Sequence, residues 1–193
     1  DRADQSSDDD LGPLRVLYDI DGNIPPEEVE LDHFRGYRDS RPVRVGNAAA
    51  EQAQHDTYGS IILAVMPMFF DRRLPKMGDD TLFRLLEVLG RKAERLALTP
   101  DAGIWEYRGR QRVHTHSVAM SWAGCNRLAA IAQRLGFGEA ASRWNDVAER
   151  LHAAMMEHAW NEKRGAFTAA FGGEDLDASV LLLHELGAVE AAD

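Results

Sequence analysis

Apolar residues return at helical spacing along most of this chain, and the links between the helical stretches alternate between short and long. Ile61, Ile62, Val65, Met68 and Phe69 recur near i, i+3, i+4, i+7 and i+8, which predicts a helix from Ala48 to Phe70. Pro67 is expected to kink or shorten its end. Asp79 or Asp80 should cap a second helix, Thr81 to Leu96, with Leu82, Leu85, Leu86 and Leu89 on one face. A third is predicted over Thr115–Leu135 and ends at the Gly136 and Gly138 break. A fourth covers Glu139–Trp160, and a fifth starts near Asp175 or Asp177 and runs to Leu186. The links 75–80 and 136–139 are short, whereas 22–47, 98–113 and 161–175 are long and rich in Gly and aromatic residues. This alternation predicts an all-α fold of antiparallel helix pairs, part of a toroid of helical hairpins, with the long site-forming loops gathered at one end. Five helices would form an open arc with apolar faces left to cover. No fixed-period repeat is visible, which disfavours a tandem helical array. Outside the helices, Leu14–Tyr18 reads as a short strand entering a turn at Asp19–Asn23, and Phe167–Phe171 as short and β-prone. Residues 1–13 read as a polar, frayed start.

Composition excludes several function classes. The 193 residues suffice for one domain with a real core. Asp plus Glu number 32 against 22 Lys plus Arg, which argues against a nucleic-acid partner and against an anionic membrane surface, and suits a neutral polar ligand. No apolar run approaches the ~18 residues of a membrane span. One cysteine, Cys125, leaves no internal disulfide, which fits a reducing, cytoplasmic setting. The chain opens Asp1-Arg2-Ala3-Asp4 instead of with Met or a signal-like stretch, as expected of an internal piece.

The segment with most chemical content is Pro100-Asp101-Ala102-Gly103-Ile104-Trp105-Glu106-Tyr107-Arg108-Gly109. It sits in a loop and puts a carboxylate beside an aromatic ring. Apolar surroundings raise a carboxyl pKa, as a general acid at neutral pH requires, and aromatic rings stack on the apolar faces of sugars. The alternative is that Trp105 packs the loop onto the helices and Glu106 pairs with Arg108. In a second segment, Asn47 is predicted to cap the helix that follows, with Gln52, Asp56 and Gly59 at i, i+4 and i+7 on one face. Such a stripe can hydrogen-bond sugar hydroxyls, or it is a solvated helix face. His114 and His116 invite a metal reading, but side chains at i, i+2 on a helix point apart and no HExxH or Cys pair occurs, so no metal site is expected. Asp19 and Asp21 lack the EF-hand spacing, and no nucleotide-binding glycine pattern or Gly-x-Ser-x-Gly elbow occurs.

At these residues the sequence resembles glycoside hydrolase family 15, the glucoamylase and bacterial trehalase-like family. The resemblance runs in order through Tyr18-Asp19-Ile20-Asp21-Gly22, Gly36 to Ala49, Gln52 to Gly59, Gly103-Ile104-Trp105-Glu106 with Arg108-Gly109, Thr115-His116-Ser117 and Leu176-Asp177-Ala178-Ser179. It implies a partial (α/α)6 toroid, with residues 1–193 an internal portion of the catalytic domain. It implies hydrolysis of terminal α-glucosidic bonds with inversion, on trehalose or on α-1,4- or α-1,6-glucan ends, with no cofactor. Glu106 maps onto the general acid and Trp105 onto the glucose subsite. Arg44, Asn47, Gln52, Asp56, Tyr107, Arg108 and His116 are the other candidate substrate-binding residues. The general base would be a Glu in a later segment, about 6.5–9.5 Å from Glu106 across the sugar. The chain departs from the family pattern in lacking that segment and an upstream Arg-Asp segment. It also has Tyr107 where fungal glucoamylases carry a second acid, and Val118 where bacterial relatives commonly carry Lys. With half of the acid–base pair, the isolated chain is expected to be inactive and poorly soluble. Two competing readings are a non-catalytic helical scaffold or sugar-binding module, and a glycoside phosphorylase on a similar toroid.

Overall fold

The computed structural model describes residues 14–190. The polar start expected over 1–13 lies outside them. Strands β1 (Val29–Glu30) and β2 (Arg44–Val45) pair antiparallel, with Val29 opposite Val45 and Glu30 opposite Arg44. Helices α1 (Asp56–Val65), α2 (Pro67–Phe70), α3 (Asp80–Leu96), α4 (Thr115–Leu135) and α5 (Gly138–Ala159) follow. A hairpin of β3 (Trp160–Asn161) and β4 (Ala166–Phe167) and the short α6 (Leu182–Glu185) come last.

The described residues are all-α apart from these two small ladders, as the helical periodicity predicts. α4 is the central helix: every residue from Thr115 to Cys125 is buried, and it packs against α1, α3 and α5. A single-residue break after Gly136 turns the chain straight into α5, giving an antiparallel hairpin. α3 starts where Asp79 accepts the Leu82 N–H at 2.9 Å. Trp144 of α5 is fully buried and donates its indole N–H to Glu87 of α3 at 3.0 Å. α1 crosses α4 at unusually short range, because Gly59 faces the backbone of Met120, and a Cβ at Gly59 would lie 2.0 Å from the Met120 carbonyl oxygen. Cys125 is buried in α4, and desolvation pushes its thiol up to about 12, so it is a packing residue.

Three sequence expectations need correction. The helix expected over Ala48–Phe70 is broken: a 3₁₀ turn covers Ala48–Glu51, Gln52 is extended, and α1 begins only at Asp56. The reason is tertiary. Residues 53–55 bond across to the 98–113 link, with Ala53 accepting the Ala102 N–H at 3.0 Å and the His55 N–H donating to Asp101 at 2.9 Å. Asn47 therefore caps only the 3₁₀ turn, accepting the Ala49 N–H at 3.0 Å, and Gln52 does not share a helical face with Asp56 and Gly59. The fifth helix is a 3₁₀ turn, Ala178–Leu181, running into α6, with Asp177 as its cap. Leu14–Tyr18 is not a strand, although the turn at Asp19 forms, with Asp19 accepting the N–H groups of Asp21, Gly22 and Asn23 by side chain and backbone. Among the described residues no helix is long and apolar enough to cross a membrane.

The long links do meet. Backbone pairing joins Asp101 to Arg112 and His114 to Ala170, and side chains bridge the first long link to the second (Arg108 to Glu28) and the second to the third (Arg110 to Asp175).

Candidate active site

The loop bearing Glu106 is pinched at its base, where Asp101 and Arg112 exchange backbone hydrogen bonds of 2.9 and 3.1 Å. Within it, the Glu106 N–H returns to the Gly103 carbonyl at 3.1 Å and the Tyr107 N–H to the Ala102 carbonyl at 3.3 Å. The turn needs positive φ at Gly103 (68°) and at Glu106 itself (54°), an uncommon conformation for a residue with a side chain. Gly103 is also required by space, since a Cβ there would lie 2.8 Å from the His114 ring.

Separate segments hold the crest of this loop. Gln52 donates from Nε2 to the Glu106 carbonyl at 3.2 Å. Trp105 donates its indole N–H to Asp177 Oδ2 at 2.7 Å. Arg108 grips Glu28 with both terminal nitrogens, each at 2.8 Å. Glu28 also meets Arg44 Nε at 3.0 Å, and Arg44 reaches on to Glu30 at 2.8 Å. The Arg108 hydrogen bond holds the Glu28 carboxyl well below the usual range, at about 2. Arg108 thus pairs with Glu28 and not with Glu106, and Trp105 remains 55% exposed instead of packing the loop down. Glu106 is exposed too, so the described residues supply no apolar enclosure around it. Tyr107 stacks on His114 at 6.1 Å between ring centroids, and the Arg110 guanidinium lies over the Tyr107 ring, 5.3 Å from its centroid.

Beneath the loop lies a buried polar floor. Asp101, wholly buried, accepts the His55 N–H and the Ser117 hydroxyl (2.8 Å) on one oxygen. Asp56 of α1 and His116 of α4 face each other with Nδ1 4.0 Å from Oδ2. Desolvation pushes the Asp56 carboxyl up and the His116 imidazole down, towards their neutral forms. Asp56 Oδ1, Asp101 Oδ1, His114 Nε2, His116 Nδ1, Gln52 Oε1 and Gln54 Nε2 are buried without a hydrogen-bond partner among the described residues. The arrangement therefore presents a carboxylate and an open indole on a braced turn, over a buried polar floor. That suits a polyhydroxyl ligand.

Of the residues expected from sequence, Trp105, Glu106, Tyr107, Arg108, Arg44 and Gln52 gather at this loop, and Asp56 and His116 lie beneath it. Asn47 sits apart as a turn cap. Sequence reasoning missed Glu28 altogether, gave Asp101 no role and took Asp177 only as a candidate helix start; acidic residues in loops carry no local signal of a partner elsewhere.

Comparison with known proteins decides the lineage: the profile of the glycosyl hydrolases family 15 matches residues 2–193. The chain belongs to glycosyl hydrolase family 15. It is similar to a trehalase of Mycobacterium tuberculosis, 37% identical over 171 residues, covering 89% of this chain and 25% of the relative. A trehalase of Thermoplasma acidophilum is 34% identical over 180 residues (93% of this chain, 30% of the relative). A trehalase of Mycolicibacterium smegmatis is 35% identical over 170 residues (88% and 25%). The chain thus spans between a quarter and a third of the length of these relatives. No solved structure matches it.

Proposed function

We propose that these 193 residues are an internal part of the catalytic domain of an inverting α-glucosidase, in which Glu106 is the general acid. The observation that carries the reading is the bracing of one exposed carboxylate-bearing turn by segments from three different regions of the chain, at Gln52, Glu28 and Asp177. A general acid must be held within hydrogen-bonding reach of the leaving oxygen, and such bracing supplies that fixity. Trp105 offers its ring face to the glucose ring.

Trehalose is the favoured substrate, because the relatives named above are trehalases; α-glucan ends are the next candidate. The complementary carboxylate, acting as base on water from the opposite face of the sugar, comes from a later segment of a longer protein, as does the apolar enclosure of Glu106. The 193 residues alone are accordingly inactive, and the chemistry needs no cofactor. The test is proton NMR of the first product formed by the full-length protein. Inversion at one carbon of trehalose releases one β- and one α-glucose before mutarotation. Two α-glucose molecules would mean retention, and phosphate-dependent turnover would mean a phosphorylase.

A further inference from the structure

Asp177 lies 72 residues from Trp105 in sequence, yet its Oδ2 accepts the Trp105 indole N–H at 2.7 Å, a short, charge-assisted bond. Its other oxygen accepts the Ser179 N–H, also at 2.7 Å, and so caps the 3₁₀ turn Ala178–Leu181. One carboxylate therefore fixes two things, the start of the last helical segment and the plane of an exposed indole. Partial burial acts to raise the Asp177 carboxyl, but hydrogen bonds from Ser179 and Trp105 outweigh it and hold the group below the usual range, ionised near neutrality. Trp105 needs such a tether. More than half of its surface is open, and among the described residues no other aromatic ring stacks on it.

We infer that Asp177 is a positioning residue for sugar recognition: it fixes the Trp105 indole, and through it the ring face presented to glucose beside Glu106. The inference rests on the functional reading above. Asp177 touches no substrate itself and acts through Trp105. Because the aromatic contact is made in ground and transition states alike, the loss should fall mainly on KM.

The two jobs of this carboxylate can be separated. Asparagine caps a helical turn as well as aspartate does. It has only one oxygen, so with that oxygen on Ser179 it turns an NH2 towards the indole N–H. In the full-length protein, Asp177→Asn should therefore melt close to wild type while KM rises about tenfold or more, the fold-change expected from losing a hydrogen bond to a charged group. Trp105→Phe, which keeps a ring and removes the donor, should show a similar rise. The double variant should be no worse than Trp105→Phe alone. In Asp177→Asn, the Trp105 indole N–H resonance should move to the position of a solvent-exposed indole.

Wild-type kinetics in Asp177→Asn would reduce Asp177 to a turn cap and overturn the inference, as would effects that multiply in the double variant. If the wild-type protein hydrolyses no α-glucoside, the functional reading fails separately. The indole resonance then decides alone whether Asp177 holds Trp105, and an unmoved resonance sinks the tether.

Discussion

Replacing Gly59 with alanine tests the helix crossing on which the site floor rests. An added Cβ would lie 2.0 Å from the Met120 carbonyl oxygen and 2.4 Å from its carbon, both backbone atoms of a buried helix. The first distance is roughly 1.4 Å short of ordinary van der Waals contact, and no flexible side chain can absorb the difference. α1 must move away from α4, and Gly124, whose own added Cβ would lie 3.0 Å from the Gly59 Cα, shows that no slack exists alongside. Overpacking of this kind costs about 3 kcal/mol, the upper end of its usual range. Alanine returns about 1 kcal/mol through helix propensity, leaving a net destabilisation of about 2 kcal/mol. For a domain near this size that is a fall in Tm of about 4–8 °C. The assay is thermal melting by circular dichroism at 222 nm. The control is Gly138→Ala in α5, where an added Cβ meets nothing within 4 Å; there the same change should be neutral or stabilising. A Gly59→Ala protein melting at or above wild type would refute the close-crossing argument. In the full-length protein activity should fall with stability, because Asp56 and His116 lie one turn away on these same helices.

Glu28→Gln should flatten the acid limb of the stability curve. The Glu28 carboxyl is held at about 2 against an ordinary 4.5, so its stabilising effect is complete above the ordinary value and is lost as pH falls from there towards about 2. Melts across that window should show a shallower slope in the variant, and an unchanged slope would contradict the clamp on Arg108. Gly103→Ala should lower kcat/KM of the full-length protein by about 100-fold, because positive φ and the His114 ring 2.8 Å away force the Glu106 turn to shift. Near-normal kinetics would show that the turn is not what positions Glu106.

The parts legible from sequence were those set by local signals. α4 is observed over the predicted Thr115–Leu135, because the apolar spacing is continuous and Gly136 stops it. α3 and α5 fall within a residue of expectation, with Asp79 capping the first as its position suggests. The failure at Ala48–Phe70 has the opposite cause. Residues 52–55 have a helical composition, but their backbone is taken up by Asp101 and Ala102 of another loop. The site divides in the same way. Trp105 and Glu106 were visible as an unusual loop pair, whereas Glu28 and Asp177 act on that loop across 80 and 72 residues of sequence. A periodic pattern encodes which face of a helix is buried. It does not encode which distant carboxylate an indole or a guanidinium will find.

The central claim is that Glu106 donates the proton to the leaving oxygen, and leaving-group dependence tests it most directly. In the full-length protein, Glu106→Gln should reduce turnover of trehalose by about 10²–10⁴-fold, the usual value of general acid help. The same variant should retain most of its turnover of α-glucosyl fluoride, whose fluoride leaves without protonation. Equal losses on both substrates, or full activity on trehalose, would contradict the assignment.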